Sequence, residues 1–398
     1  MRTYGELFRT EEFTPLFAAS SLQVAASTLS GLALGTLVYT ATRSPLLSAL
    51  SMFGASFAQL AGAVALLSAA DRLPPRAAMT AIGLVFGLST LVLAVPGLPL
   101  GAIFAIVLGQ GLVASVGGGV RYGLLSEILP ADGYLLGRSV LNMSAGTSQI
   151  FGFAAGGVLV ATLSPRGTLL AGAALFLAAA AVSRTGLGAR PPRAAGRPSV
   201  AETWRSNAVL WSDRSRRCVY LALWVPNGLI VGCESLFVPY APGHAGLLFT
   251  VAAFGMLVGD TLAGRFVADR WRRRLGAPLR LLLAVPYLIF AVDPPAPVAV
   301  TAVVLASIGY SATLLLQERL MAITPGEMHG HALGLHSSGM LAMQGVGAVL
   351  AGAVAQHTSP ATAMAVMAAA SVAVTLALAP GLRPVERSPE PVGAGSPR

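Results

Sequence analysis

The chain has 398 residues, of which 55% are hydrophobic and only 11% charged, against about 25% charged in an average soluble domain. So few polar side chains do not cover a water-facing surface, which excludes a soluble globular protein. The formal net charge of +10 would suggest a nucleic-acid partner only if the cations gathered on one folded face, and their distribution along the chain excludes that as well.

At about 20 apolar residues per crossing, the sequence predicts twelve transmembrane helices. They span 14–41, 45–69, 77–96, 99–126, 138–163, 167–184, 216–240, 245–268, 277–292, 296–322, 331–356 and 360–380. The lead-in MRTYGELFRTEEF is charged and amphipathic and does not read as a cleaved signal. All 26 basic residues are Arg, and an even helix count puts both termini on one side. The loops of that side hold 23 of them, the opposite side holds Arg43 and Arg166, and Arg121 lies within a span. The positive-inside rule then places both termini in the cytoplasm. Arg without Lys, amid so much Ala and Gly, suggests by association a high-G+C bacterial genome, so the inner membrane of a bacterium is the expected location. The lipid bilayer is its expected partner, a monomer its expected state, and nucleic acid is not expected.

Between the sixth and seventh spans lies the longest internal polar stretch, Arg184 to Arg217. It divides the chain into a six-helix bundle over 1–184, a linker over 185–215, a second bundle over 216–383 and a polar, Pro-rich tail over 384–398 expected to be disordered. Within the linker, SVAETWRSNAVLW opens with a capping-box pattern, Ser199 and Glu202, and is expected to form a short interfacial helix. Cys218 and Cys233 sit about 22 Å apart on one predicted helix, too far to bridge. The five His are scattered, so no metal site and no cofactor are expected.

Two sequence echoes indicate duplication. AADRLPPR, containing Asp71, Arg72 and Arg76, follows the second helix; VADRWRRR, containing Asp269 and Arg270, follows the eighth. GRSVLNMSAGTSQIFG from Gly137 and GHALGLHSSGMLAMQG from Gly330 share Gly and Ser at matching positions, and each opens the fifth helix of its half. Nearly equal offsets argue for a repeated six-helix unit related by an axis along the membrane normal.

With these loops the chain resembles the major facilitator superfamily, whose loop between helices 2 and 3 reads G-x-L-a-D-R-x-G-R-[KR]. Leu67 and Pro74 stand here in place of its two Gly. The stretch VRYGLLSEILPADGYLLGRSVLNMSAGTSQIFGFAAGG resembles the drug-efflux branch related to macrolide exporters, with Phe153 where the G-P-x-x-G-G motif has Pro. The downstream ITPGEMHGHALGL resembles the matching loop of the second half. The resemblance implies an all-α membrane protein of two six-helix bundles. It also implies a gating role for the loop residues Asp71, Arg72, Arg76, Asp269 and Arg270, with the Asp71 carboxylate meeting a helix N-terminus in one state.

Ionisable groups inside a membrane span are costly and mark functional positions. Here they are Arg121, Glu234 and Asp260, with Glu127, Glu318 and Arg319 near helix ends. Tyr220, Trp224, Asn227 and Glu234 recur along one face of the seventh helix, and VPNG (225–228) predicts a break there, so this stripe is expected to line a central cavity. Asn142 and Gln149, Tyr310 and Gln317, and Gln23 and Gln344 extend a neutral amide and aromatic lining. The Gly-x-x-x-Gly pairs 31/35, 83/87, 152/156 and 255/259 predict close helix crossings. Asp260 has two readings, as a proton carrier or as the partner of Arg121.

Together these features predict a secondary transporter, not an enzyme, that exports a small hydrophobic or cationic organic compound in exchange for protons. Glu234 and Asp260 are the expected proton carriers. A symporter for a nutrient such as a sugar or amino acid, and a transport-inactive sensor using the Arg-rich linker, are the alternative readings.

Overall fold

The computed structural model describes residues 4–65, 73–192, 200–266 and 269–382, and it contains helices and connecting turns only. In the first half, α1 is Phe13–Thr42, α2 is Pro45–Phe53 continued by Ala55–Ala65, α3 is Pro75–Leu93 and α4 is Leu100–Ile128. Helix Ala131–Gly186 is unbroken by hydrogen-bond pattern. At 56 residues it is about 84 Å long, far more than one bilayer thickness. Ser164, with φ of 83°, followed by Pro165, divides it into α5 (131–163) and α6 (165–186). The expected loop around Arg166 is thus a single-residue reversal, and the eleven long apolar helices among the described residues make twelve crossings.

The second half holds α7 (Arg214–Ser235, extended by Phe237–Tyr240), α8 (Ala245–Thr261, ending in a π turn Leu262–Phe266) and α9 (Asp269–Ala284, tightening to a 3-10 helix Val285–Val292). It continues with α10 (Ala296–Gly309 and Ala312–Ala322), α11 (His329–His357) and α12 (Pro360–Leu378). The linker carries the expected helix, Val200–Ser212. Its Trp211 stacks on Trp224 at 5.6 Å, and Arg216 donates to the carbonyls of Val209 and Leu210.

The two halves repeat one packing scheme. α1 lies on α5, α2 on α4 and α3 on α6; in the same order α7 lies on α11, α8 on α10 and α9 on α12. Glycines permit the closest of these approaches. A Cβ on Gly83 would meet Ala180 at 2.9 Å, and one on Gly259 would reach the Ile308 carbonyl at 2.5 Å. Of the predicted pairs only Gly31 faces open space. Between halves the contacts run through α2 with α11 and α5 with α8. The fold is the two-bundle, twelve-helix arrangement expected from the sequence, that of a multi-pass membrane protein.

One expectation about a helix break is corrected. α7 passes through Pro226 without interruption, because α11 and α12 enclose it and its Pro226 carbonyl accepts from Ser371 Oγ at 3.1 Å. The break falls instead in α10, between Gly309 and Ala312, where a Cβ on Gly309 would collide with the α9 backbone at Leu282 and Leu279.

Candidate functional site

A cavity of about 1060 Å³ lies between the halves. Its mouth is lined by Tyr4, Leu135 and Arg138 at the start of α5 and by Gly264 and Arg265 in the π turn ending α8. These all lie on the side where the described chain begins at Tyr4 and ends at Leu382 and where the linker helix sits, here called the terminal side. Its inner end is closed by Phe153 of α5 and Phe249 of α8, stacked at 4.7 Å with an interplanar angle of 14°. Beyond them Gly157 and Gly246 touch backbone to backbone, and Ser44 Oγ donates to Gln356 Oε1 at 2.8 Å across α2 and α11. The cavity is open on the terminal side and sealed on the far side.

Of the residues expected to form the pathway, Asn142, Gln149, Glu234, Asp260, Tyr310 and Gln344 line this cavity. Glu234 is 9% exposed and Asp260 Oδ1 is buried without a hydrogen-bond partner. Tyr310 sits at the break in α10, and Asp260 lies just before the π turn of α8. Irregular backbone at this depth is tolerated where it borders a cavity. Tyr122 Oη donates to Asn142 Oδ1 at 2.9 Å, which leaves the Asn142 amide N–H groups for other partners.

The other expected lining residues lie elsewhere. Tyr220 Oη donates to the Ala332 carbonyl, Trp224 Nε1 to that of His336 and Asn227 Nδ2 to Met340 Sδ, so the α7 stripe is a ladder onto α11 with acceptors four residues apart. Inside a membrane a polar stripe finds a neighbouring helix as readily as water. Gln317 Nε2 meets His336 Nε2 at 3.0 Å, Gln23 is half-buried outside the cavity lining, and Arg121 lies over the Tyr122 ring at 4.9 Å. Arg121 Nε and Asp260 Oδ1 are each buried without a partner, so the alternative of an Arg121–Asp260 pair is not realised. Asp71 and Arg72 lie outside the described residues, as do the side chains of Asp269 and Arg270, while Arg76 lies in the first turn of α3.

Sequence reasoning missed Arg138, Met143, Met256 and the Phe153–Phe249 pair. Arg138 was counted only as a topogenic charge. Phe153, noticed as a departure from a Pro motif, supplies half of the stacked seal.

On the terminal side Glu12, just before α1, accepts from Arg190 Nη1 at 2.5 Å, Arg190 Nη2 at 3.0 Å and the Gly188 N–H at 3.1 Å. Arg190 Nε also lies 3.4 Å from Glu127 Oε2 at the end of α4. The hydrogen bonds from Arg190 and Gly188 hold the Glu12 carboxyl below its usual range, and Glu12 in turn raises Arg190. This cluster ties α1, α4 and the chain after α6 together within one half.

The Major Facilitator Superfamily model matches residues 240–398. Among solved structures, the chain is similar to a bacterial homolog of the human lysosomal transporter Spinster in an inward-facing, unoccupied conformation, at 13% identity over 94% of this chain and 96% of that one, with a TM-score of 0.72. It is also similar to the nucleoside transporter NupG, at 13% identity over 93% of this chain and 99% of that one (TM-score 0.74), and to a POT family transporter in complex with 5-aminolevulinic acid, at 13% over 93% and 96% (TM-score 0.72). No curated protein sequence matches it. The chain has the major facilitator fold, and residues 240–398 carry the sequence pattern of that superfamily.

Proposed function

We propose that this protein is a secondary transporter of the bacterial inner membrane that exports a small hydrophobic or cationic organic compound in exchange for protons. The observation carrying this reading is the charge pattern of the cavity: two carboxylates, Glu234 and Asp260, lie within it, neutral amides oppose them, and guanidinium groups occur at the mouth. A buried carboxylate without a partner is costly when charged. A proton removes that cost by neutralising it, and an organic cation removes it by pairing. Occupancy by one therefore displaces the other, which is the elementary requirement of exchange. Arginine distribution assigns the open mouth to the cytoplasm, so a compound enters from inside the cell and leaves after the Gly157–Gly246 seal parts. In this reading Asp71, Arg72, Arg76, Asp269 and Arg270 are the loop residues that would close the mouth in the opposite state.

Flux into reconstituted vesicles tests this reading. Vesicles loaded at acidic pH and diluted into alkaline medium should accumulate the planar organic cation ethidium, and a protonophore should abolish the accumulation. Ethidium movement in the same direction as protons would indicate symport, and failure to accumulate ethidium or any of a panel of organic cations would overturn the cation assignment.

A further inference from the structure

On the terminal side, away from the central cavity, α9 and α10 pack on each other and each carries an arginine, Arg280 and Arg319. Arg280 of α9 is only 5% exposed. Its Nε donates to the Gly276 carbonyl one turn back at 3.1 Å, but its Nη1 is buried with no hydrogen-bond partner. Arg319 of α10 lies within electrostatic range of it and donates from Nη1 to the Leu382 carbonyl after α12. Among the described residues no carboxylate forms an ion pair with Arg280. A buried guanidinium with an unused donor, next to a helix that carries a second guanidinium within electrostatic range, forms an arrangement that an anion would complete.

Position and geometry restrict the anion. Arg280 lies five residues into the crossing Leu275–Val292, about 7–8 Å along the helix. Arg319 lies three residues before the end of the crossing Ala296–Ala322. Arg319 is therefore at headgroup depth, and the Arg280 side chain runs back toward that level, to the Gly276 carbonyl, where basic pockets between helices meet lipid phosphates. Planar guanidinium forks match the oxygens of a phosphate better than a single-point acceptor. We infer that Arg280 and Arg319 form a binding site for a phosphate-type oxyanion, supplied by an anionic phospholipid headgroup or by free phosphate. Arg280 is the inner ligand and Arg319 the outer one. The site is independent of the transport reading.

The test uses the purified full chain in detergent with added phosphatidylglycerol, phosphatidylcholine or excess inorganic phosphate, read by thermal unfolding and by native mass spectrometry of retained lipid. Phosphatidylglycerol should raise the unfolding midpoint and be retained where phosphatidylcholine is not. Arg280→Gln and Arg319→Gln should each cut retention roughly tenfold, the loss of a charge-assisted hydrogen bond. Arg214→Gln, an exposed arginine on the same side, should leave it unchanged. In phosphatidylcholine Arg280→Gln should be no less stable than wild type, because an uncompensated buried charge has gone. Arg280→Lys keeps the charge without the planar fork, so it should stay folded and still weaken retention. A shift with phosphate alone would identify a soluble oxyanion as the supplier and still support the site. Equal behaviour in the two lipids with no response to phosphate, or undiminished retention in both glutamine variants, would overturn it.

Discussion

α5 and α8 face each other across the cavity, one from each half, yet they carry different chemistry. α5 contributes Asn142 and Gln149, with Arg138 at the mouth; α8 contributes Asp260 beside a π turn, and α7 next to it contributes Glu234. At the sealed end the same two helices are alike, meeting through Gly157 and Gly246 with one Phe from each stacked beneath. The pair is thus symmetric where it must open and asymmetric where it must bind. On the proposed reading, the carboxylates that exchange charge belong to the second bundle alone. The first bundle lines the cavity with amides and keeps its one cation, Arg138, at the mouth.

The symmetric end should be the more sensitive to bulk. A Cβ on Gly157 would lie 3.0 Å from the Gly246 Cα, and overpacking of this kind costs about 1–3 kcal/mol. Gly157→Leu should therefore reduce flux roughly tenfold or more, and a cysteine at Gln149 should become reactive to reagents added from the far side. Unchanged flux and labelling would show that this contact is not the seal. On the asymmetric wall, Asp260→Asn should lower gradient-driven flux about tenfold, as expected when a charge-assisted contact is lost. An equal loss on Gln149→Ala would erase the distinction between the walls. That α5 substitution should instead raise KM by roughly threefold with kcat retained, the value of a neutral hydrogen bond.

The smallest effect lies outside the cavity. The Glu12 carboxyl is held below its ordinary value of about 4.3. The Glu12–Arg190 contact therefore stabilises fully above that pH and is lost as pH falls through the lower, folded-state value. Glu12→Gln should reduce stability at neutral pH by no more than about 1 kcal/mol, since both groups are partly solvated and screened. The gap to wild type should close below about pH 4. A gap that persists in acid would mean that Glu12 acts through packing.

The crossings were legible because a bilayer imposes a length on apolar runs, and polar stretches such as Arg184–Arg217 interrupt them. Glycine spacing likewise foretold close packing at Gly83 and Gly259. The cavity lining was only half legible. Period alone puts Trp224, Asn227 and Glu234 on one face, but α11 offers acceptors at Ala332, His336 and Met340 with the same repeat and takes up the upper part of the stripe. Which polar residues meet water and which meet another helix depends on the neighbour, and no single helix encodes that. The break in α10 was illegible for a related reason: it is set by the crossing of Gly309 on α9, not by a proline.

The central claim is that carboxylate chemistry on the second bundle couples transport to protons, and Glu234 tests it most directly. Glu234→Gln removes the titratable group at nearly constant size. In reconstituted vesicles, ethidium accumulation driven by a pH gradient should be abolished, while exchange of ethidium between compartments at equal pH should continue, since exchange moves no net proton. Full gradient-driven accumulation by this variant would contradict the account and leave Asp260, or a coupling ion other than the proton, to carry it.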